Sequence, residues 1–305
     1  MEEYLENYTY FLEGANRSQN TIRSYSTIIN ELFTYLESKN ITNVEEIKTV
    51  HLDTYQASLR KKNSTGTVKT KMTVIGGFMN YLQSREYIEK NPKKAMIPVK
   101  VKDSDKKKKF NLNTKQALKL IEKTEENSIP MMKVRNKIMM VSFLFFGLRI
   151  SELAALKISD VSLKEKTIHV IGKGDKLREI PIPQSIIEDL KAYMKTKDPN
   201  GYFFTVKKTS KPLGERAIRD LVYQHAEKAG FKFHIHPHAL RRSTATILSD
   251  DGLDITSIQY LLGHESINTT AIYINRDKEK VKEEIRQASS LAKEYKKQKS
   301  NKKAR

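Results

Sequence analysis

The chain has 305 residues, room for two domains of ordinary size, and 56 Lys and Arg against 36 Asp and Glu give it a net charge of +20. A chain this basic points to a polyanionic partner, nucleic acid foremost, rather than to a merely solvated surface. The absence of cysteine excludes disulfides, thiolate–metal sites and thiol nucleophiles and fits a reducing, cytoplasmic setting. The acidic, aromatic opening MEEYLENYTYFLEG lacks a secretory pattern, and the apolar run MMVSFLFFGL is only about half a membrane span.

In chain order, SQNTIRSYSTIINELFTYL carries Ile22, Tyr25, Ile28, Ile29, Leu32, Phe33 and Leu36 at helical spacing, with Asn20 or Ser18 as its cap. HLDTYQASLRKKN and STGTVKTKMTVIGGFMNYLQSREYI read as further helices, the second interrupted at Gly76-Gly77. Residues 1–95 thus form an all-helical domain. Lys69 and Lys71, with Arg60, Lys61 and Lys62 just before them, are its candidate phosphate contacts. From Lys90 to Lys109, KNPKKAMIPVKVKDSDKKKK is rich in lysine and proline and poor in apolar residues. It reads as an extended basic tract, with 96–109 as the interdomain linker and Lys94 and Lys100 as DNA contacts.

Residues 110–280 are again mostly helical, with one exception. The runs IHVI and LREIPI flank Gly-Lys-Gly-Asp-Lys, which is a β-hairpin with Lys173 in its turn. Helices follow in GERAIRDLVYQHAEKAG, in HALRRSTATILSDDG started by Pro237, and in DITSIQYLLG. The last segment, 281–305, is a charged tail helix with a narrow stripe of Val281, Ile285, Ala288, Leu291 and Ala292. That stripe fits either a groove on a neighbouring protomer or the chain's own core.

The stretch LLGHESINTTAIYIN, residues 261–275, poses the chemical question. Tyr273 is either packed in a core or a nucleophile that His264 helps to place. Attack of a phenol on a phosphodiester requires loss of its proton, bidentate cations on the charged non-bridging oxygens, and an acid for the departing sugar oxygen. Candidates for each part exist. Arg149 stands near a helix start with Glu152 three residues on, placed to hold its guanidinium. Lys173 sits in the hairpin turn. His238 and Arg241 share a helix face at i and i+3, whereas His236 is off that face. Taken singly, each reads more simply as structural, Arg149 and Glu152 as a surface helix pair and Lys173 as a solvated turn lysine.

Together, in order, these residues resemble the boxes of the tyrosine recombinase (phage integrase) family. GLRISEL is similar to its first box and places Arg149 at the first catalytic arginine. GKGDKLREIP matches its hairpin and places Lys173 at the catalytic lysine. His238-Ala-Leu-Arg241 matches HxxR, and LLGHESINTTAIY places His264 and the nucleophile Tyr273. Where many members have His after the second arginine, this chain has Arg242, here a candidate phosphate contact. The pattern SxNTxxxY at Ser18–Tyr25 resembles the family's helical core-binding domain.

The resemblance implies a mainly α protein. A SAM-like helical core-binding domain is joined to a mainly helical catalytic domain with a small β-hairpin or sheet, in the minimal Xer-type or transposon-type architecture, with no room before it for an arm-binding domain. It also implies a site-specific recombinase that cuts and rejoins duplex DNA through a 3′-phosphotyrosyl link. Neither cofactor, ATP nor metal is called for. The implied partners are double-stranded DNA with a specific site and a homo-tetramer formed on that DNA from free monomers, with an accessory protein or second recombinase as a further possibility and no membrane. Two other readings compete: relaxation of supercoils by a type IB topoisomerase-like activity, and a DNA-binding regulator whose recombinase site is inactive.

Overall fold

A computed structural model describes residues 1–100, 110–172, 177–206, 209–263 and 278–303. Two compact units meet in sequence at Lys108–Lys109, each with its own apolar core.

The first unit is built from α1 (Glu2–Gly14), α2 (Gln19–Glu37), α3 (Thr49–Lys62) and α4 (Thr65–Ser84). Of the two candidate caps for α2 it is Ser18 that serves, accepting the Thr21 N–H at 3.3 Å. Ser64 does the same for α4 through Thr67. The apolar stripes of α2 and α4 bury Leu32, Leu36, Ile75, Phe78, Met79 and Leu82 completely.

Contrary to the expected break, α4 runs unbroken through Gly76-Gly77. A Cβ at Gly76 would lie 3.4 Å from the Lys93 side chain, and one at Gly77 would lie 3.4 Å from the Tyr8 hydroxyl. The glycines thus allow close approach of neighbouring elements. Burial of the flanking side chains offsets a helix cost of about 1 kcal/mol per glycine.

The lysine- and proline-rich tract also differs from its expected extended form. Pro92–Ala95 is a 3₁₀ turn, the Thr49 hydroxyl donates to the Pro92 carbonyl at 3.0 Å, and Met96 and Val99 are buried in the first core. Two apolar side chains among many lysines suffice to hold the chain to this unit as far as Val99.

In the second unit, α5 (Thr114–Glu126), α6 (Lys133–Phe145), α7 (Ile150–Ala155), α8 (Gln184–Met194), α9 (Glu215–Lys228), α10 (Pro237–Asp250) and α11 (Ile255–Leu262) surround a core. The hairpin is present as β2 (Thr167–Ile171) and β3 (Leu177–Pro181), antiparallel with Ile171 opposite Leu177. A short strand missed in the sequence, β1 (Val161–Ser162), pairs with β2 and extends the sheet to three strands in the order β1-β2-β3.

The tail forms two helices rather than one, α12 (Lys278–Ala288) and α13 (Ser290–Lys303). Val281, Ile285, Leu291, Ala292 and Tyr295 are buried in the core of their own unit. Of the two fits open to that stripe, this structure contains the one on its own core. No helix among the described residues is long and apolar enough to cross a membrane.

Candidate active site

The buried helix α6 ends in the phenylalanine-rich run before Gly147, whose φ of +58° lets the chain reverse direction. A side chain there would run into Leu262 Cδ2, so Gly147 serves both conformation and packing. Two residues later Arg149 caps α7, and Glu152 stands in the first turn of that helix. The Glu152 carboxylate reaches back to accept the Arg149 backbone N–H at 2.7 Å on Oε2 and Arg149 Nη1 at 2.7 Å on Oε1. The expected pairing of Arg149 with Glu152 is therefore present, as a capping arrangement rather than a surface helix pair.

A second guanidinium meets the same carboxylate. Arg178, on β3, donates through Nη1 to Oε1 and through Nη2 to Oε2, both at 2.8 Å. Arg241, from α10, brings Nη1 to 3.8 Å of Oε2. Glu152 and Arg241 side chains are only 4% and 3% exposed and Arg178 9%, whereas Arg149 remains 35% exposed. Burial pushes the Glu152 carboxyl up, but the hydrogen bonds and charge of Arg178, then of Arg149, outweigh it and hold the group at about 2. Burial, then the like charges of Arg149 and Arg178, bring Arg241 down to about 10, with Glu152 opposing.

The three arginines also share the end of α11. That helix stops at Gly263, left-handed with φ +61°, which leaves its last carbonyls without helical partners. The carbonyls of Leu261, Leu262 and Gly263 are taken in turn by Arg178 Nε at 3.1 Å, by Arg241 Nη2, and by Arg149 Nη2 at 2.7 Å. Arg241 Nη1 also donates to the Gly147 carbonyl at 2.5 Å. Cations at the negative end of a helix dipole are favourably placed, and here they fix the point where the chain enters His264.

His238 lies in the first turn of α10, exposed, with its ring parallel to that of His236 at 6.3 Å. His236 caps the helix by accepting the Ala239 N–H on Nδ1 at 3.2 Å, a structural duty that separates it from His238. Burial first, then the charge of Arg242, pushes His236 below its ordinary value. The structure thus brings Arg149 and Arg241 together and sets His238 one turn from Arg241. Lys173, His264 and Tyr273 lie outside the described residues. The strand ends Ile171 and Leu177 flank the first of these, and Gly263 directly precedes the second.

Arg242 donates to Asn111 Oδ1 at 3.2 Å and to the Phe110 carbonyl at 3.3 Å, tying down the start of the second unit. Among the lysines expected to touch phosphate, Lys71 pairs with Glu31 and Lys94 donates to Gln83 at 3.0 Å, while Lys69 and Lys100 are exposed.

Arg178 stands within the hairpin box GKGDKLREIP but was not singled out as a site residue. Its signal was present in the strand pattern: in LREIP it stands two residues before the buried Ile180, on the same face of β3. An arginine at an inward strand position calls for a buried anion.

Comparison with known proteins gives a consistent picture. The model of the phage integrase family matches residues 110–280, and that of the phage integrase N-terminal SAM-like domain matches residues 5–86. The tyrosine recombinase XerC of Bacillus subtilis (strain 168) is 33% identical over 275 residues, covering 87% of this chain and 88% of its own. Among solved structures, a lambda integrase dimer bound to a COC′ core site aligns with a TM-score of 0.71 at 18% identity, covering 91% of this chain and 98% of that one. A lambda integrase tetramer bound to a Holliday junction aligns at 0.70 and 18%, covering 87% and 77%. At that identity the likeness to lambda integrase concerns the fold. With a matching family model over more than half its length, and a relative one-third identical over most of both chains, this chain belongs to the phage integrase family, in the branch of the Xer-type tyrosine recombinases.

Proposed function

We propose that the chain is a site-specific DNA recombinase that breaks and rejoins duplex DNA through a covalent tyrosyl link. The observation that carries this reading is the charge balance beneath the α11 turn. Three guanidinium groups, Arg149, Arg178 and Arg241, surround one carboxylate, Glu152, leaving two positive charges in excess. Excess cationic charge held in a mostly buried site is costly unless an anion completes it. A phosphodiester does so, and its phosphorane-like transition state, with one more negative charge, does so better. That difference is the source of rate acceleration.

In this reading Arg149 and Arg241 hold the non-bridging oxygens, and Tyr273 attacks phosphorus. The bond from phosphorus to the 5′-oxygen breaks as the bond to the tyrosyl oxygen forms. Lys173 delivers a proton to the departing 5′-oxygen, His238 assists removal of the tyrosyl proton, and His264 donates to a phosphate oxygen. Arg242, bonded to the Phe110–Asn111 backbone and side chain, serves local packing first. Because one phosphodiester replaces another, the step is reversible, and a 5′-hydroxyl of a partner duplex can reverse it. Two duplexes with two cleavage positions each require four nucleophiles, and the lambda integrase tetramer on a Holliday junction supports a tetramer on DNA. The free chain, with its tail stripe buried on its own unit, is read as a monomer.

The test is incubation with a nicked suicide duplex carrying a site that the protein selects from a random-sequence pool. The native chain should give an SDS-resistant protein–DNA band. Tyr273→Phe should bind equally well and give none. A covalent band from the Phe variant would remove Tyr273 from its role. Relaxation of plasmids lacking the selected site, at the same rate as plasmids carrying it, would turn the reading towards a topoisomerase.

A further inference from the structure

We propose that Arg178 is a positioning residue for the phosphate clamp, acting through Glu152 rather than on DNA. This rests on the reading of Arg149 and Arg241 as that clamp.

Four donors saturate the Glu152 carboxylate. Arg149 supplies its backbone N–H and Nη1, and Arg178 supplies Nη1 and Nη2 as a parallel fork. The fork fixes the plane of the carboxylate, because two parallel N–H donors meet two oxygens in only one orientation. That plane in turn sets where Oε1 faces Arg149. The remaining guanidinium edge of Arg178, Nε, is committed to the Leu261 carbonyl. With its side chain 9% exposed, Arg178 is turned inward, whereas Arg149 is more than a third exposed.

Gly263 supplies an independent mark of the same arrangement. A Cβ there would lie 3.0 Å from Arg178 Cδ, 3.1 Å from Nη1 and 3.2 Å from Nε. The arginine therefore runs directly beneath the left-handed turn that leads into His264, and only a bare backbone leaves it room. Arg178 is also five residues beyond Lys173 on the same hairpin. It therefore joins three of the separated boxes: the hairpin, the α7 start and the α11 end. Its neighbour Glu179 pairs with Lys282 of α12, so β3 is also tied to the helix that follows the nucleophile segment in sequence.

Removing the fork would leave two lone pairs of Glu152 open. Arg241 Nη1, at 3.8 Å from Oε2, is the nearest cation able to fill them. It would do so by leaving the Gly147 and Leu262 carbonyls, which moves a clamp arginine towards the core.

The experiment compares cleavage of two nicked suicide duplexes by the full chain, both carrying the selected site. One has an ordinary scissile phosphate. In the other a neutral methylphosphonate replaces it, so the transition state carries one negative charge fewer and needs less cationic support. The variants are Arg149→Ala as the clamp reference, Arg178→Met, and Arg178→Lys, which keeps charge and stem and loses the fork. On the phosphate, Arg178→Met and Arg178→Lys should each lose about 10-fold to 100-fold in single-turnover cleavage, as for outer partners that orient a catalytic group, with unchanged DNA affinity. On the methylphosphonate the losses of Arg149→Ala and of both Arg178 variants should shrink together. Partial unfolding lowers both rates by the same factor, so it cannot imitate that change of ratio, and the lysine variant covers the case in which the methionine variant does not fold. An equal loss on both substrates for the Arg178 variants, with relief confined to Arg149→Ala, would reduce Arg178 to a purely structural role. Native rates for Arg178→Lys would show that the fork is not needed and overturn the proposal. No relief even for Arg149→Ala would instead overturn the clamp itself, and this proposal with it.

Discussion

Replacing Glu152 by Gln tests the electrostatic centre of the site. The carboxyl stands at about 2 in the folded chain against 4.5 for a free glutamate. By linkage that difference corresponds to about 3 kcal/mol of stability at pH 7, at about 1.4 kcal/mol per tenfold change in proton affinity. The sign follows from a depressed carboxyl: the contribution is complete above pH 4.5 and is lost as pH falls through 2. Of that sum, roughly 0.8 kcal/mol should be gone by pH 4 and roughly 2 kcal/mol by pH 3. Glu152→Gln keeps the shape and loses the charge, leaving Arg149, Arg178 and Arg241 facing one another. The assay is urea unfolding of the second unit within the full chain, native against variant, at pH 7, 5, 4 and 3. The stability gap should be flat from pH 7 to 5 and should narrow below 4.5. Inorganic phosphate should stabilise the variant more than the native chain, because it supplies the missing anion. A gap below about 0.5 kcal/mol at pH 7, the size expected of an ordinary surface pair, would refute the reasoning. So would a gap that does not change between pH 5 and 3.

Three further outcomes follow from particular contacts. His225 is buried beside Asn136, 3.2 Å from its Nδ2, and burial first, then Lys228 and Arg135, push it down to about 4. Its folded form stays neutral while the unfolded chain takes up a proton near 6.5, so stability should fall as pH drops from 6.5 to 4. His225→Gln should flatten that slope in urea midpoints, and an unchanged slope would clear His225 of the effect. Gly263→Ala forces a side chain into a φ of +61° and against Arg178. It should cost about 1–2 kcal/mol from the backbone alone and slow cleavage more than it weakens DNA binding, whereas native cleavage would mean the turn tolerates displacement of Arg178. Tyr295 meets Phe145 edge-on at 5.5 Å and donates its hydroxyl to Asp189 at 2.8 Å. Tyr295→Ala should cost about 3–5 kcal/mol and raise hydrogen exchange throughout α13 before the rest of the unit opens; unchanged protection there would show that the tail is held elsewhere.

Sequence alone determined those features that depend on near neighbours. The apolar period of residues 22–36, the start at Pro237, the stop at Gly263 and the pairing of the strands on either side of the Gly-Lys-Gly-Asp-Lys run are set by residues a few positions apart, where propensity and steric rules act. The pairing of Arg149 with Glu152 was legible for the same reason, since three residues on a helix start can meet only one way. The four boxes, read in order, were enough to indicate the family. Tertiary structure decided what depends on distant residues. Glu152 meets Arg178 across 26 residues, Arg178 meets Leu261 across 83, and Arg149 meets Gly263 across 114. No periodicity encodes such distances, because they are fixed only when the helices pack and bring the end of α11 over β3. The same holds for Gly76-Gly77, which read locally as a break and are in fact bare surfaces for Lys93 and Tyr8. It holds also for the tail, whose narrow stripe fits any apolar groove. The groove beside Phe145 and Asp189, with an aromatic edge and a half-buried carboxylate, gives Tyr295 a partner within its own unit, and that match of apolar body and polar tip places α13 there.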